Sequence, residues 1–116
     1  MNQRMYINYS ATIYFLNSIY ADNLDINLKT AIKKMEEYLQ SEVAKYVIPD
    51  HDNTLKNFQV TSLNYEELLV KSKQVMALLS IMAKDKDIQI YSTELLEYIK
   101  KLYKENRRNE LMEERK

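Results

Sequence analysis

Residues suited to chemistry gather in three places along this chain. The first is Asp50-His51-Asp52, which holds the only histidine, set between two carboxylates just after Pro49. An imidazole flanked by carboxylates can ligate a metal ion or be activated as a base. Adjacent residues seldom converge on one ion without further ligands, and the chain offers no cysteine and no second histidine. Pro, Asp and Asn are also what a turn requires. The segment therefore reads as a turn, and no metal or cofactor is expected.

The second place is a basic stripe. Lys100, Lys104, Arg107 and Arg108 fall at i, i+4, i+7 and i+8, facing away from Leu95, Ile99 and Leu102. A helix with such a stripe can lie along phosphates or meet an acidic protein surface. The helix and turn before it even permit a helix-turn-helix in which Ser92 to Leu102 is the recognition element. Glu94, Glu97, Glu105 and Glu110 interrupt the stripe, however, and leave residues 93–116 close to neutral. The turn also lacks the glycine often found in that motif. Nucleic-acid binding is the secondary reading.

The third place is the tyrosine-rich N-terminal segment. The chain has ten tyrosines against two phenylalanines, and Tyr6, Tyr9, Tyr14 and Tyr20 crowd the first segment. Tyrosine supplies contact area at low entropic cost and tolerates water at its hydroxyl. Base stacking would call for cations between the rings, and only Arg4 is near. Tyr9, Ile13, Leu16 and Tyr20 share one helical stripe and are assigned to the core. Tyr6 and Tyr14, off that stripe, are the candidate protein interface.

No catalytic motif accompanies these groups. The chain contains no glycine, so it has no Gly-rich phosphate cradle, dinucleotide fingerprint, nucleophile elbow or Asn-Gly hairpin. Two carboxylates on neighbouring helices can do acid–base work, but nothing in the spacing selects a pair. The expectation is a protein that is not an enzyme and takes no small-molecule substrate.

Composition sets the remaining bounds. At 116 residues the chain forms one helical domain spanning 1–116, long enough for a core without disulfides. Its 17 basic and 17 acidic residues balance, which gives no argument for a polyanion or an anionic membrane surface. The longest apolar run, Val75 to Ala83, falls short of the roughly 20 residues a membrane helix needs. Arg4 precedes an aromatic stretch, but Asn8, Ser10, Thr12 and Asn17 break any signal-peptide core. A cytoplasmic location follows as the expectation. Residue types with A/T-rich codons dominate, as in a low-GC bacterium or one of its phages.

The elements that must position these residues read as helices. Tyr65 to Lys84 is the most apolar stretch, with Leu68, Val75, Leu79 and Met82 on one stripe and Leu69, Met76 and Ala83 beside it. A face that wide suits a helix with partners on more than one side. Asn64 and Glu67 are spaced as a capping box. Residues 5–21 form a helix, with a short strand at 6–9 as the other reading of its start. Asp25 caps a helix from Ile26 to about Val47, ended by Pro49. Its Leu28, Ile32, Met35, Leu39 and Val43 share a face. Ser92 is read as the cap of the last helix, and residues 109–116 as a frayed tail.

The expected fold is all-α, a small antiparallel four-helix bundle whose short connections favour antiparallel order along the chain. The alternative keeps the helices and adds a two-stranded β element from 58–62 and 88–91. The expected function is binding to another protein, in an accessory, inhibitory or immunity-type role, with a homodimer as one form. The alternative is a nucleic-acid-binding regulator using Lys100, Lys104, Arg107 and Arg108.

Overall fold

The computed structural model describes residues 3–45 and 62–114. It is an all-α four-helix bundle: α1 (Gln3–Ile19), α2 (Ile26–Ala44), α3 (Tyr65–Met82) and α4 (Lys86–Glu114), with no strand among the described residues. His51 and the 58–61 half of the β alternative lie outside the described residues. The other half, 88–91, is helical.

Two helix starts follow from local chemistry. Asp25 Oδ1 accepts from the Leu28 N–H at 2.8 Å and opens α2. Asn64 Oδ1 accepts from the Glu67 N–H at 2.8 Å, while the Asn64 N–H donates to Glu67 Oε1 at 3.4 Å. Both halves of the expected capping box are present, so two of the orphan N–H groups of α3 are satisfied.

The start of α4 corrects the sequence reading. Asp85 is the capping residue: its carboxylate accepts from the Asp87 N–H at 2.8 Å and its carbonyl from the Gln89 N–H at 3.1 Å. Ser92 is two turns inside the helix and fully buried, its hydroxyl donating to the Ile88 carbonyl at 2.6 Å. The alternation Ile88-Gln89-Ile90-Tyr91 resembles a strand only in isolation. At helical spacing Ile88, Ser92, Leu95 and Ile99 form one buried stripe. The helix is continuous through Glu114.

The helices form a ring in which α1 packs on α2 and α3, and α4 packs on α3 and α2. The pairs α1/α4 and α2/α3 occupy opposite corners. The start of α1 (Met5, Tyr9), the end of α2 (Tyr38, Glu42, Lys45), the end of α3 (Leu79, Met82) and the approach to α4 (Lys84, Asp85) meet at one end. Tyr65 and Tyr98 lie near Asp22 at the other. Every packed pair is thus antiparallel. Sequence order does not alternate throughout, because α2 and α3 follow one another among the described helices and run the same way. They can do so because Lys45 and Asn64 stand at opposite ends and the connection between them is long.

The core combines Phe15, Leu16 and Ile19 of α1, Ile32, Met35 and Leu39 of α2, Leu69, Met76 and Leu79 of α3, and Leu95 and Ile99 of α4. Burying each such side chain contributes roughly 1.5–3 kcal/mol. Small residues sit among them: Ala11, Ala31, Ser72 and Ser92 are fully buried, where a short side chain lets helices approach closely.

Candidate interaction surface

The structure separates the two tyrosines expected to face outward. Tyr14 is 54% exposed, whereas Tyr6 is 5% exposed and belongs to the interior. The reason is the phase of α1. Its most buried line is Thr12, Phe15 and Leu16, continued by Ile19, rotated from the expected Tyr9–Ile13–Leu16–Tyr20 stripe, in which Ile13 and Tyr20 are only half-buried. Burial also wraps most of the N-terminal half, taking in Tyr6, Tyr9, Ser10 and Ala11. Thr12 tolerates a dry site because its hydroxyl donates to the Asn8 carbonyl at 2.7 Å. Tyr20 lies at the bundle edge, with the Lys33 ammonium 4.7 Å and the Lys29 ammonium 5.2 Å from its ring centre.

The basic stripe is exposed and partly engaged with carboxylates. The Arg107 guanidinium meets Glu66 Oε1 at 3.2 Å and Glu110 Oε2 at 3.7 Å, which holds its pKa above the ordinary value. Lys100 meets Glu97 at 3.7 Å. Lys100, Lys104 and Arg108 border a shallow depression together with Lys101, and Glu97 and Glu105 share its walls. The surface is therefore mixed in sign. The helix-turn-helix reading does not hold: α3 and α4 form an antiparallel hairpin joined by residues 83–85, with Arg107 on α4 reaching back to Glu66 at the start of α3. The motif needs two helices crossing at about 90–120°. Leu95 and Ile99, within the supposed recognition element, are fully buried.

The most apolar helix presents a feature not expected from the sequence. Ile81 is 79% exposed, Met82 69% and Leu78 38%. Helical spacing in the sequence places Met82 on the buried stripe. It is the last residue of α3, where the core ends, and among residues 78–83 only Leu79 and Ala83 are buried. In a four-cornered ring each helix has two packed neighbours and one face left over. On α1, α2 and α4 that face is largely polar; on α3 it carries Leu78, Ile81 and Met82. The signal was available as an excess, since Tyr65–Lys84 is richer in large apolar residues than one corner of a bundle can bury.

Beside this stripe lies a cleft of about 700 Å³ lined by Met5, Tyr9, Tyr38, Leu78, Leu79 and Met82, among others. Met5, Leu78, Leu79 and Met82 make its floor apolar. Tyr9 and Tyr38 line it too, and Glu42, Lys45, Lys84 and Asp85 supply charge of both signs around it. Burial pushes both phenols up, and Glu42 raises them further. At neutral pH they are hydrogen-bonding phenols and not phenolates. An apolar floor with convergent polar groups suits an amphipathic protein segment. The methionines add to this, because flexible thioether chains adapt to an incoming surface.

Among the described residues no cluster of three or more His, Asp or Glu side chains could hold a metal ion, and no helix is long and apolar enough to cross a membrane. No protein-family model, curated protein or solved structure matches this chain.

Proposed function

We propose that this protein is a small, non-enzymatic, cytoplasmic binding protein that acts by occupying a surface of another protein. An accessory, inhibitory or immunity-type role in a low-GC bacterium or its phage fits its size and codon bias. The observation that supports binding is the run of exposed Leu78, Ile81 and Met82 on the outer side of α3, next to the Tyr9–Tyr38 cleft. Contiguous exposed apolar residues with a polar rim are the usual mark of a protein contact. Tyr14, on α1, is a second candidate contact.

Affinity capture from host lysate tests this reading. The wild-type chain is expected to retain one stoichiometric partner, and Ile81→Glu with Met82→Glu to lose it while remaining helical. Retention of the partner by that double variant, or recovery of chaperones alone, argues against the face.

The secondary reading, nucleic-acid binding through Lys100, Lys104, Arg107 and Arg108, draws on the exposure of all four cations along one side of α4. Glu66, Glu97, Glu105 and Glu110 weigh against it. If it is correct, affinity for duplex DNA falls steeply with salt, and Lys104→Glu with Arg108→Glu abolishes it. Absence of binding at about 50 mM salt would sink the idea.

A further inference from the structure

We propose that Met82 is an oxidation site: a peroxide converts its thioether to the sulfoxide, the adjoining cleft takes up the new oxygen, and the α3 face loses its apolar tip. This rests on the protein-binding reading above and adds regulation of that same face.

Access singles out the residue. The chain has six methionines and no cysteine, so thioethers are the sulfur groups an oxidant meets. Met35 and Met76 are fully buried, and Met5 is partly buried against the core. Met82 is 69% exposed and Met112 58%. Susceptibility to oxidation follows exposure, so the bundle shields two of these thioethers and presents two. Met112 stands near the end of α4, about 40 Å along that helix from its start. Met82 is the one that follows Leu78 and Ile81 and lines the cleft.

The step balances with hydrogen peroxide as the oxidant. A sulfur lone pair attacks one peroxide oxygen, the S–O bond forms and the O–O bond breaks. Sulfur gives up two electrons, and the departing hydroxide takes the proton of the transferred oxygen and leaves as water. The product is a polar side chain with a strong acceptor oxygen. An apolar partner surface pressed against that oxygen would bury it without a donor, which is costly. The cleft supplies what the face lacks, because Lys45 and Lys84 line it together with Met82. Lys45 commits one N–H to Glu42 at 3.2 Å and keeps two. The unbranched methionine side chain turns toward these ammonium groups without moving α3. Oxidation thus removes an apolar contact from the face and partly fills the cleft, while the shielded Met35 and Met76 keep the bundle folded.

Three measurements test the proposal. After hydrogen peroxide treatment, peptide mapping is expected to find Met82 and Met112 oxidised first, with Met35 and Met76 more than about tenfold slower because their reaction waits on opening of the core. Met35 or Met76 keeping pace with Met82 overturns the site. With isotope-labelled methionine methyl groups, the Met5 methyl, which shares the cleft, is expected to shift in the magnetic resonance spectrum once Met82 is oxidised. In Met82→Leu it should stay in place while Met112 still reacts. A Met5 methyl that ignores Met82 oxidation, or that moves equally in Met82→Leu, overturns uptake by the cleft. Methionine sulfoxide reductase is expected to reverse the shift; a permanent change would be damage and would overturn regulation. In affinity capture from host lysate, the oxidised wild-type chain is expected to lose the partner that oxidised Met82→Leu keeps. A partner held equally by reduced and oxidised wild type refutes the regulation and leaves the binding reading intact. A reduced chain that captures nothing refutes both.

Discussion

Ser92 Oγ lies 3.6 Å from the Met35 sulfur, the point at which α4 closes on α2 across 57 positions of sequence. Its stronger bond is to the Ile88 carbonyl one turn back, so this hydroxyl is silenced within its own helix and the residue serves mainly as a small spacer.

That assignment has a mutational signature. Ser92→Ala is expected to change stability by less than about 0.5 kcal/mol, because the carbonyl it releases sits within a helix and no cap is lost. Asn64→Ala, which removes a true cap, is expected to cost about 1 kcal/mol. Urea unfolding of the two variants measures the contrast, and equal losses would return Ser92 to a capping role.

Leu79 and Ile81 are two residues apart on α3 with opposite fates. Leu79→Ala is expected to cost about 2–5 kcal/mol through lost burial and a residual cavity, and Leu79→Asp to unfold the domain. Ile81→Asp is expected to leave the melting temperature of the isolated chain nearly unchanged. A folded Leu79→Asp chain in thermal circular dichroism would show that the core has been misplaced.

Glu36 predicts a pH effect. Burial raises its pKa, with Lys33 opposing, and its Oε1 is buried without a hydrogen-bond partner. A carboxyl whose folded-state pKa is raised costs stability when ionised, and that cost is relieved as pH falls through the raised value. Glu36→Gln is therefore expected to be more stable than wild type at pH 7. The advantage should shrink on acidification and vanish below the ordinary Glu pKa of about 4.3. Thermal melts of both chains from pH 7 to pH 3.5 follow the difference.

The opposite limb belongs to the phenols. Tyr9, Tyr38, Tyr65 and Tyr98 all have raised pKa values, chiefly through burial. As pH climbs above about 10, the unfolded chain ionises its tyrosines while the folded chain holds these protons. Stability is expected to fall from that point upward. A titration followed near 295 nm should show a late, cooperative phenolate step coincident with loss of helix. Ionisation of all ten tyrosines in one simple step while the helix persists would contradict it.

What could be read from the sequence, and what could not, follows the range of the forces involved. Asp25 and Asn64–Glu67 were legible because a cap is decided by residues three apart. The stripe Ile32–Met35–Leu39 was legible because α2 buries one narrow face. Asp85 was missed as a cap because the strand-like alternation after it outweighed the helical spacing of Ile88, Ser92 and Leu95, which only α2 and α3 make decisive. The phase of α1 was missed for a related reason. Its apolar and small residues surround the helix, so neighbours and not pattern choose what is buried, and Tyr6 went inside. The exposed Met82 reads as core, and Leu78 and Ile81 are given no face, because periodicity records hydrophobicity and not the number of neighbours a corner helix has.

The shared direction of α2 and α3 has a kinetic consequence. Contacts within α1–α2 and within α3–α4 are local in sequence, whereas those that join the two hairpins are not. Docking of the two hairpins, which pairs residues far apart in sequence, is therefore expected to be slower than the zippering of each hairpin. In a flexible chain the entropic cost of such docking grows only logarithmically with sequence separation, about 0.6 kcal/mol for each doubling. At high protein concentration a hairpin from a neighbouring chain becomes a competitor for the same docking site.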